Sequence, residues 1–574
     1  MIVISNQNYF LSSNSTTSKI EGSFEEIFKL FDENNVNLAG VDNVKMKIED
    51  ESEALEFEQL VENFQILRTC FNKFKIVQMI FLLNKDFDLQ KLNKIISFPS
   101  NLKDLNELTI TVSQKVQNYL KKENNQIKTQ HISITEIDSV VDKISNLIEL
   151  SQTIQKLKIN LMGYSFSDMT FQKFSRTLQL HQNIQQINIR LQLTFLQEEK
   201  INILMDSICQ IKQLKYLQLN LSDNPIQSQG LQTFAKFLLR LGHLKQVYLS
   251  FQQAKIYNEL QKAESFFQNL RYLYQVEDLM LSFSLNQLKN KLSNLMFESV
   301  SCLVNLKNLH LGLSCNQISA KGMKNIKKLL NLSNLETLEL LLGYNEIESF
   351  GEIQQMQCPS MKRLLINIMQ NFLTEEGCKK LGLICNNYPN LRYLSLRFSQ
   401  IGLGDQKFKM IFDQFTHTQK DLQKFHLLSS KNLLTCNSAE TISQFLSQKP
   451  NIITLSLCIA SNFIRNKGCY ILMESIKKYR TTMIDFETNL CGNNCSMQGK
   501  MAYFGEVTNF QYLTSSFLYF DNKRSGYYHL IFSKIQKIQE MNLNGVLTIA
   551  IFCKLYDRSL FFNINCVLYD LYSD

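Results

Sequence analysis

A chain of 574 residues with 44% hydrophobic side chains is too long for one compact domain and too apolar for a disordered one. Its 5 prolines and 19 glycines leave little material for linkers, and 40 Phe with no Trp set an aliphatic and phenylalanine core. Residues 1–60 carry 12 acidic and 4 basic side chains, net −8, so +17 of the overall +9 falls on the other 514. No run of five or six like charges forms there, which favours solvated helix faces over a nucleic-acid or acidic-membrane footprint.

The N-terminal "MIVISNQNYFLSSNSTTSK" has no basic region and too short an apolar run for a signal peptide. Residues 1–43 are polar and acidic and are expected to form a tail or cap. Residues 44–150 hold degenerate units expected to open at Val44, Val77, Leu108 and Ile132. From 151 to 495 a regular repeat follows, and 496–574 is read as a C-terminal cap or further degenerate units. No stretch approaches about 18 uninterrupted apolar residues, the span of a membrane helix. The 14 cysteines are dispersed beside apolar neighbours, as in a reduced protein of the cytoplasm or nucleus.

The first apolar residues of successive alternating runs are Leu157, Ile187, Leu217, Val247, Leu279, Leu309, Leu338, Leu364, Leu394, Phe425, Leu455 and Ile484, spaced by 26 to 32 residues. Seven residues beyond the marker stand Asn224, Asn286, Asn316, Asn345, Asn371, Asn432 and Asn462. Six residues after the asparagine come Gly230, Gly322, Gly351, Gly377 and Gly468, and then an apolar run with helical spacing. Alternation predicts a short strand and the later run predicts a helix. Neither could bury its apolar face alone, so neighbouring units must stack into a parallel sheet backed by helices. The asparagine is expected to bond the backbone of its turn and of the next unit, and the glycine to serve the bend that feeds the helix.

"LKNLHLGLSCNQISAKGMKNIKKLL" and "LKYLQLNLSDNPIQSQGLQTFAKFLL" resemble leucine-rich repeats of the ribonuclease-inhibitor type. That resemblance implies an α/β fold, a leucine-rich repeat β/α solenoid or horseshoe with a parallel concave sheet and outer helices. In the common family spacing asparagine follows the second strand leucine by three residues, whereas Asn316 follows Leu311 by five. The extra dipeptide leaves the faces unflipped, resembles a protist variant, and is absent only from the Leu394 unit, where Ser399 takes the asparagine place.

No catalytic signature is present: no phosphate-binding glycine loop, no kinase H-R-D, no H-E-x-x-H. The close pair Cys491 and Cys495 lacks two further metal ligands, and Cys491 falls at the asparagine position counted from Ile484. The seven histidines are far apart and read as surface polar groups. The expectation is a non-enzymatic protein with no metal, cofactor, small-molecule substrate, membrane or nucleic acid to bind.

In the family that these repeats resemble, residues between the strand leucines point into the concave face. Here that face runs from polar and basic units (Lys158, Arg190) to an acidic last unit (Asp485, Glu487). Arg190 and, between these ends, Tyr248, Met280, His310, Leu341, Leu365, Arg397, His426 and Leu428 are expected to meet a protein partner, because apolar groups framed by polar ones mark binding surfaces. A longer strand that simply buries more, or a C-terminal tail that folds into the concavity, is the competing reading of the same residues. The resemblance also admits a regulator of an enzyme, either ribonuclease-inhibitor-like or GTPase-activating, or a structural subunit of a ciliary assembly.

Overall fold

Strict alternation over five residues makes a strand in every regular unit. The computed structural model describes residues 105–114 and 134–513, apart from 152, 258, 355–357, 497, 501–505 and 508, together with strand segments 2–5, 8–11, 18–23, 41–48, 76–83 and 515–519. The chain divides into two compact units, Met1–Ser360 and Met361–Asp574.

In the first unit the strands are β1 (Ile2–Ser5), β2 (Asn8–Leu11), β3 (Ser18–Ser23), β4 (Val41–Ile48), β5 (Ile76–Leu83), β6 (Glu107–Gln114), β7 (Lys156–Asn160), β8 (Gln186–Arg190), β9 (Tyr216–Asn220), β10 (Gln246–Ser250), β11 (Asp278–Ser282), β12 (Asn308–Gly312) and β13 (Thr337–Leu341). From β3 onward each pairs in parallel with the next, and marker residues stand opposite one another: Val44 with Val77, Val77 with Leu108, Leu108 with Leu157. The unit expected at Ile132 lies outside the described residues; the helix Ile134–Leu150 begins two residues later, and β6 pairs directly with β7.

The second unit carries β14 (Arg363–Asn367), β15 (Tyr393–Arg397), β16 (Lys424–Leu428), β17 (Thr454–Cys458), β18 (Asp485–Asn489) and β19 (Ser515–Tyr519), again parallel and in order. Leu455 stands opposite Phe486, so the last regular marker is Phe486 and not Ile484, whose side chain is exposed. The next step, Phe486 to Ser516, is again 30 residues, so the rhythm continues into β19.

Marker leucines and their +2 partners are buried, and most helices follow their strands on that side. Phenylalanines fill the space between: Phe234, Phe251, Phe266, Phe267 and Phe283 pack with ring centroids 5.1–5.7 Å apart. Phe408, Phe412, Phe415, Phe425 and Phe445 do the same in the second unit. The interval from Leu338 to Leu364 is the shortest, and among its described residues beyond β13 no helix forms. The division at Ser360 falls there.

Asparagine holds the turns together. Asn224 Oδ1 accepts from the backbone N–H of Thr194 (2.9 Å) and Leu196 (3.0 Å), and its Nδ2 donates to the carbonyls of Leu191 (2.7 Å) and Leu221 (3.0 Å). The partner is therefore the preceding unit, not the next. The pattern becomes a ladder where asparagines adjoin: Asn286 N–H donates to Asn316 Oδ1 (3.1 Å), and Asn316 N–H to Asn345 Oδ1 (2.9 Å). Ile401 N–H donates to Asn432 Oδ1 (3.0 Å), so the Leu394 unit keeps the long spacing with Ile401 in the asparagine place. In the last unit that place belongs to Asn493, which donates to Ile459 (2.9 Å) and Leu490 (3.1 Å), and Cys491 lies two residues before it.

The residue before each such position is left-handed, among them Leu193 (φ 56), Asp223 (φ 59), Leu285 (φ 63), Lys431 (φ 55) and Gly492 (φ 68). Gly322 and Gly351 lie in turn or bend backbone, but the predicted glycine of the last helical unit plays a different part. Gly468 lies inside the helix Arg465–Ile476, and a Cβ there would stand 2.4 Å from Ile464 Cγ2. It is glycine for close packing, not for a bend.

Candidate partner-binding face

Because the marker leucines face the helices, the residues between them lie on the open side of each sheet. In the first unit one row reads Lys158, Asn188, Gln218, Tyr248, Met280, His310 and Glu339 in strand register. Its middle is linked laterally. Asn188 Nδ2 donates to Gln218 Oε1 (2.8 Å), and Tyr216 Oη donates to the same oxygen (2.6 Å). The Tyr216 and Tyr248 rings meet edge to face, 5.3 Å apart. Burial raises the Tyr248 phenol above its ordinary range, with the Asp278 charge adding to it. Met280, Leu341 and Arg190 are half-buried on this same side. His310 Nδ1 lies 2.7 Å from Glu339 Oε2. The sequence alone did not reveal that pairing, because the two residues are 29 apart and meet only through strand register.

At the N-terminal side of this row the cations are partly answered. Glu107 lies 3.2 Å from Lys158 and 4.0 Å from Lys156.

In the second unit the row is Leu365, Ser395, His426, Ser456 and Glu487. Leu365 and Ser395 are 0% exposed, so Leu365 does not offer the accessible apolar group expected of it. At that position the chain itself buries the residue. His426 is half-buried, with Nε2 lacking a hydrogen-bond partner among the described residues. Burial, then the charges of Arg397, Arg363 and Lys424, hold its pKa down to about 4, so the ring is neutral near pH 7. The Arg363 guanidinium lies 3.8 Å from the Tyr393 ring centroid, and the Tyr393 and His426 rings are 5.2 Å apart. Arg397 and Leu428 share the next row and are half-buried. Beyond them Ser456 Oγ donates to Glu487 Oε2 (2.8 Å). Register assigns Glu487 to the row of His426 and Asp485 to the row outside it.

A second set of apolar groups escaped the sequence reading. Eight residues after their markers stand Phe195 in the first unit and Phe372, Leu433 and Phe463 in the second, exposed by 63%, 71%, 63% and 43%. Their shared position in the repeat was the available signal. Among the described residues no group of three His, Cys, Asp or Glu side chains could hold a metal ion, and no helix is long and apolar enough to cross a membrane.

One family model, Leucine Rich repeat, matches residues 213–235, a stretch that contains β9 and the turn and helix start after it. The repeat is a leucine-rich repeat. The other regular units share its register, so each compact unit is an α/β leucine-rich repeat solenoid. Among solved structures, a chain from the Toll–Spatzle complex, titled a molecular hub in Drosophila development and innate immunity, matches at 13% identity with a TM-score of 0.32. The match covers 81% of this chain and 56% of that one, so this chain spans little more than half of its length. No curated protein matches the chain.

Proposed function

We propose that this leucine-rich repeat chain is a non-catalytic protein-interaction scaffold of the ribonuclease-inhibitor type, which engages a protein partner through the open face of its sheet. The observation that carries this reading is the stretch Tyr216, Tyr248, Met280, His310 and Leu341 on adjacent strands of the first unit. These side chains are half-buried, so they are partly ordered by the fold yet keep surface to offer. Aromatic and Met side chains of that kind supply contact area at small entropic cost. Arg190 lies on the same side of the first unit, and the second unit presents Arg397, His426 and Leu428 on its own open side.

The test is cross-linking capture from native extract, comparing the wild-type chain with Tyr248→Glu/Met280→Glu. The expected result is at least a tenfold loss of the captured partner, with an unchanged far-UV spectrum. Equal capture by that variant, with loss instead in Phe372→Glu/Leu433→Glu, would move the site to the turn edge and overturn the assignment.

A further inference from the structure

We propose that Cys469 and Cys495 form a reversible disulfide, made by exchange with a small-molecule disulfide of the glutathione class, that fastens the unit of β18 to the unit of β17. The two Sγ atoms lie 2.8 Å apart. Cys469 is buried in the helix Arg465–Ile476, and Cys495 is half-buried in the turn after β18.

The repeat itself creates this meeting. Cys469 stands 14 residues after Leu455, and Cys495 stands nine after Phe486. The same two places in neighbouring units are apolar and adjacent elsewhere. Ile201 Cδ1 and Ile226 Cγ2 lie 3.1 and 2.7 Å from one point, the Cβ site of Gly230. Ala439 Cβ and Ile464 Cγ2 lie 3.3 and 2.4 Å from the Cβ site of Gly468. Small apolar side chains suffice to fill this place, and β17 and β18 bring two thiols to it instead. The bridge would span 26 residues and tie a helix to the following turn.

The order of events follows from access. The hydrogen bond with Cys495, then burial, raise the Cys469 thiol well above the usual range, whereas Cys495 reaches solvent. Cys495, as thiolate, attacks one sulfur of glutathione disulfide; that S–S bond breaks and one glutathione leaves as thiolate. Cys469 then gives up its proton and attacks the Cys495 sulfur, and the second glutathione leaves. The protein loses two electrons and two protons, and two reduced glutathiones carry them away.

The reduced full chain would be equilibrated over a series of glutathione disulfide to glutathione ratios, quenched with an alkylating agent and mapped by peptide mass spectrometry. The expected product is a Cys469–Cys495 linked peptide, lighter by two hydrogens, that disappears on return to reduced glutathione. In the oxidised wild type, tryptic cleavage after Arg480 should slow at least severalfold, and Cys469→Ala, which copies Ala439, should show no slowing. Alkylation of both thiols at every ratio, a lasting glutathione adduct on Cys495, or a bridge from Cys495 to Cys491 would each overturn the proposal. The wild-type mapping decides the matter even where a variant fails to fold.

Discussion

At the scale of single residues the ladder asparagines matter most. Asn432 accepts from Ile401 N–H (3.0 Å) and donates to the Phe398 carbonyl (2.7 Å) and Ser429 Oγ (2.9 Å), all buried. Asn432→Ala would strand those groups away from water, at about 1–3 kcal/mol for each one left unsatisfied. A loss of about 3 kcal/mol in denaturant unfolding is the expected outcome. The left-handed residues give a change of the opposite sign. Leu285 sits at φ 63 with a side chain 45% exposed, so it is strained and contributes little packing. An L-residue in that region costs roughly 1–2 kcal/mol, and glycine's greater chain entropy returns part of it. Leu285→Gly should therefore raise stability by up to about 1 kcal/mol, read as a higher melting temperature.

Two features of single elements give tests whose direction is informative. In an ordinary helix interior, glycine to alanine stabilises by about 1 kcal/mol. In the helix Arg465–Ile476, Gly468→Ala should do the reverse, because the new methyl would press on Ile464 Cγ2 at 2.4 Å with Cys436 Cα 3.4 Å away. Overpacking of that kind costs about 1–3 kcal/mol, which thermal unfolding would register. After the helix Cys436–Ser447, Lys449 is 0% exposed. Its Nζ donates to the carbonyls of Thr416 (2.6 Å) and Thr418 and lies over the Phe445 ring. Burial, with the Lys478 charge adding to it, holds its pKa down to about 7. The unfolded chain keeps this proton up to the ordinary lysine range near 10.4, so between about pH 7 and 10 it binds more protons than the folded chain. Stability should therefore rise with pH across that window, and Lys449→Met should flatten the rise in melts taken from pH 7 to 10.

On the scale of the whole molecule, strand alternation separates core from surface. Met280 and Leu281 are neighbours, yet Met280 is half-buried on the open side while Leu281 is buried. Met280→Glu should change stability by less than about 1 kcal/mol. Leu281→Glu places an unpaired carboxylate in the core and should unfold the unit around it. Circular dichroism of the two variants distinguishes these outcomes. Leu365 carries the opposite lesson. It occupies the same row as Met280 in the repeat, and its complete burial was not readable, because the period of two states which side a residue faces and not what lies over it.

Chain order and local chemistry determined the repeat, the strand-then-helix unit, the phenylalanine core and the turn asparagines, because each depends on spacing within about 30 residues. The last unit's frame was two residues off, because Ile484 and Phe486 fit the alternation equally well and only pairing of Phe486 with Leu455 chooses between them. Tertiary structure alone decided which unit each asparagine binds, that Gly468 answers to packing, that His310 meets Glu339 and that Cys469 meets Cys495. Those contacts join residues 26 to 33 apart, one turn of the solenoid, where register and not local preference brings side chains together.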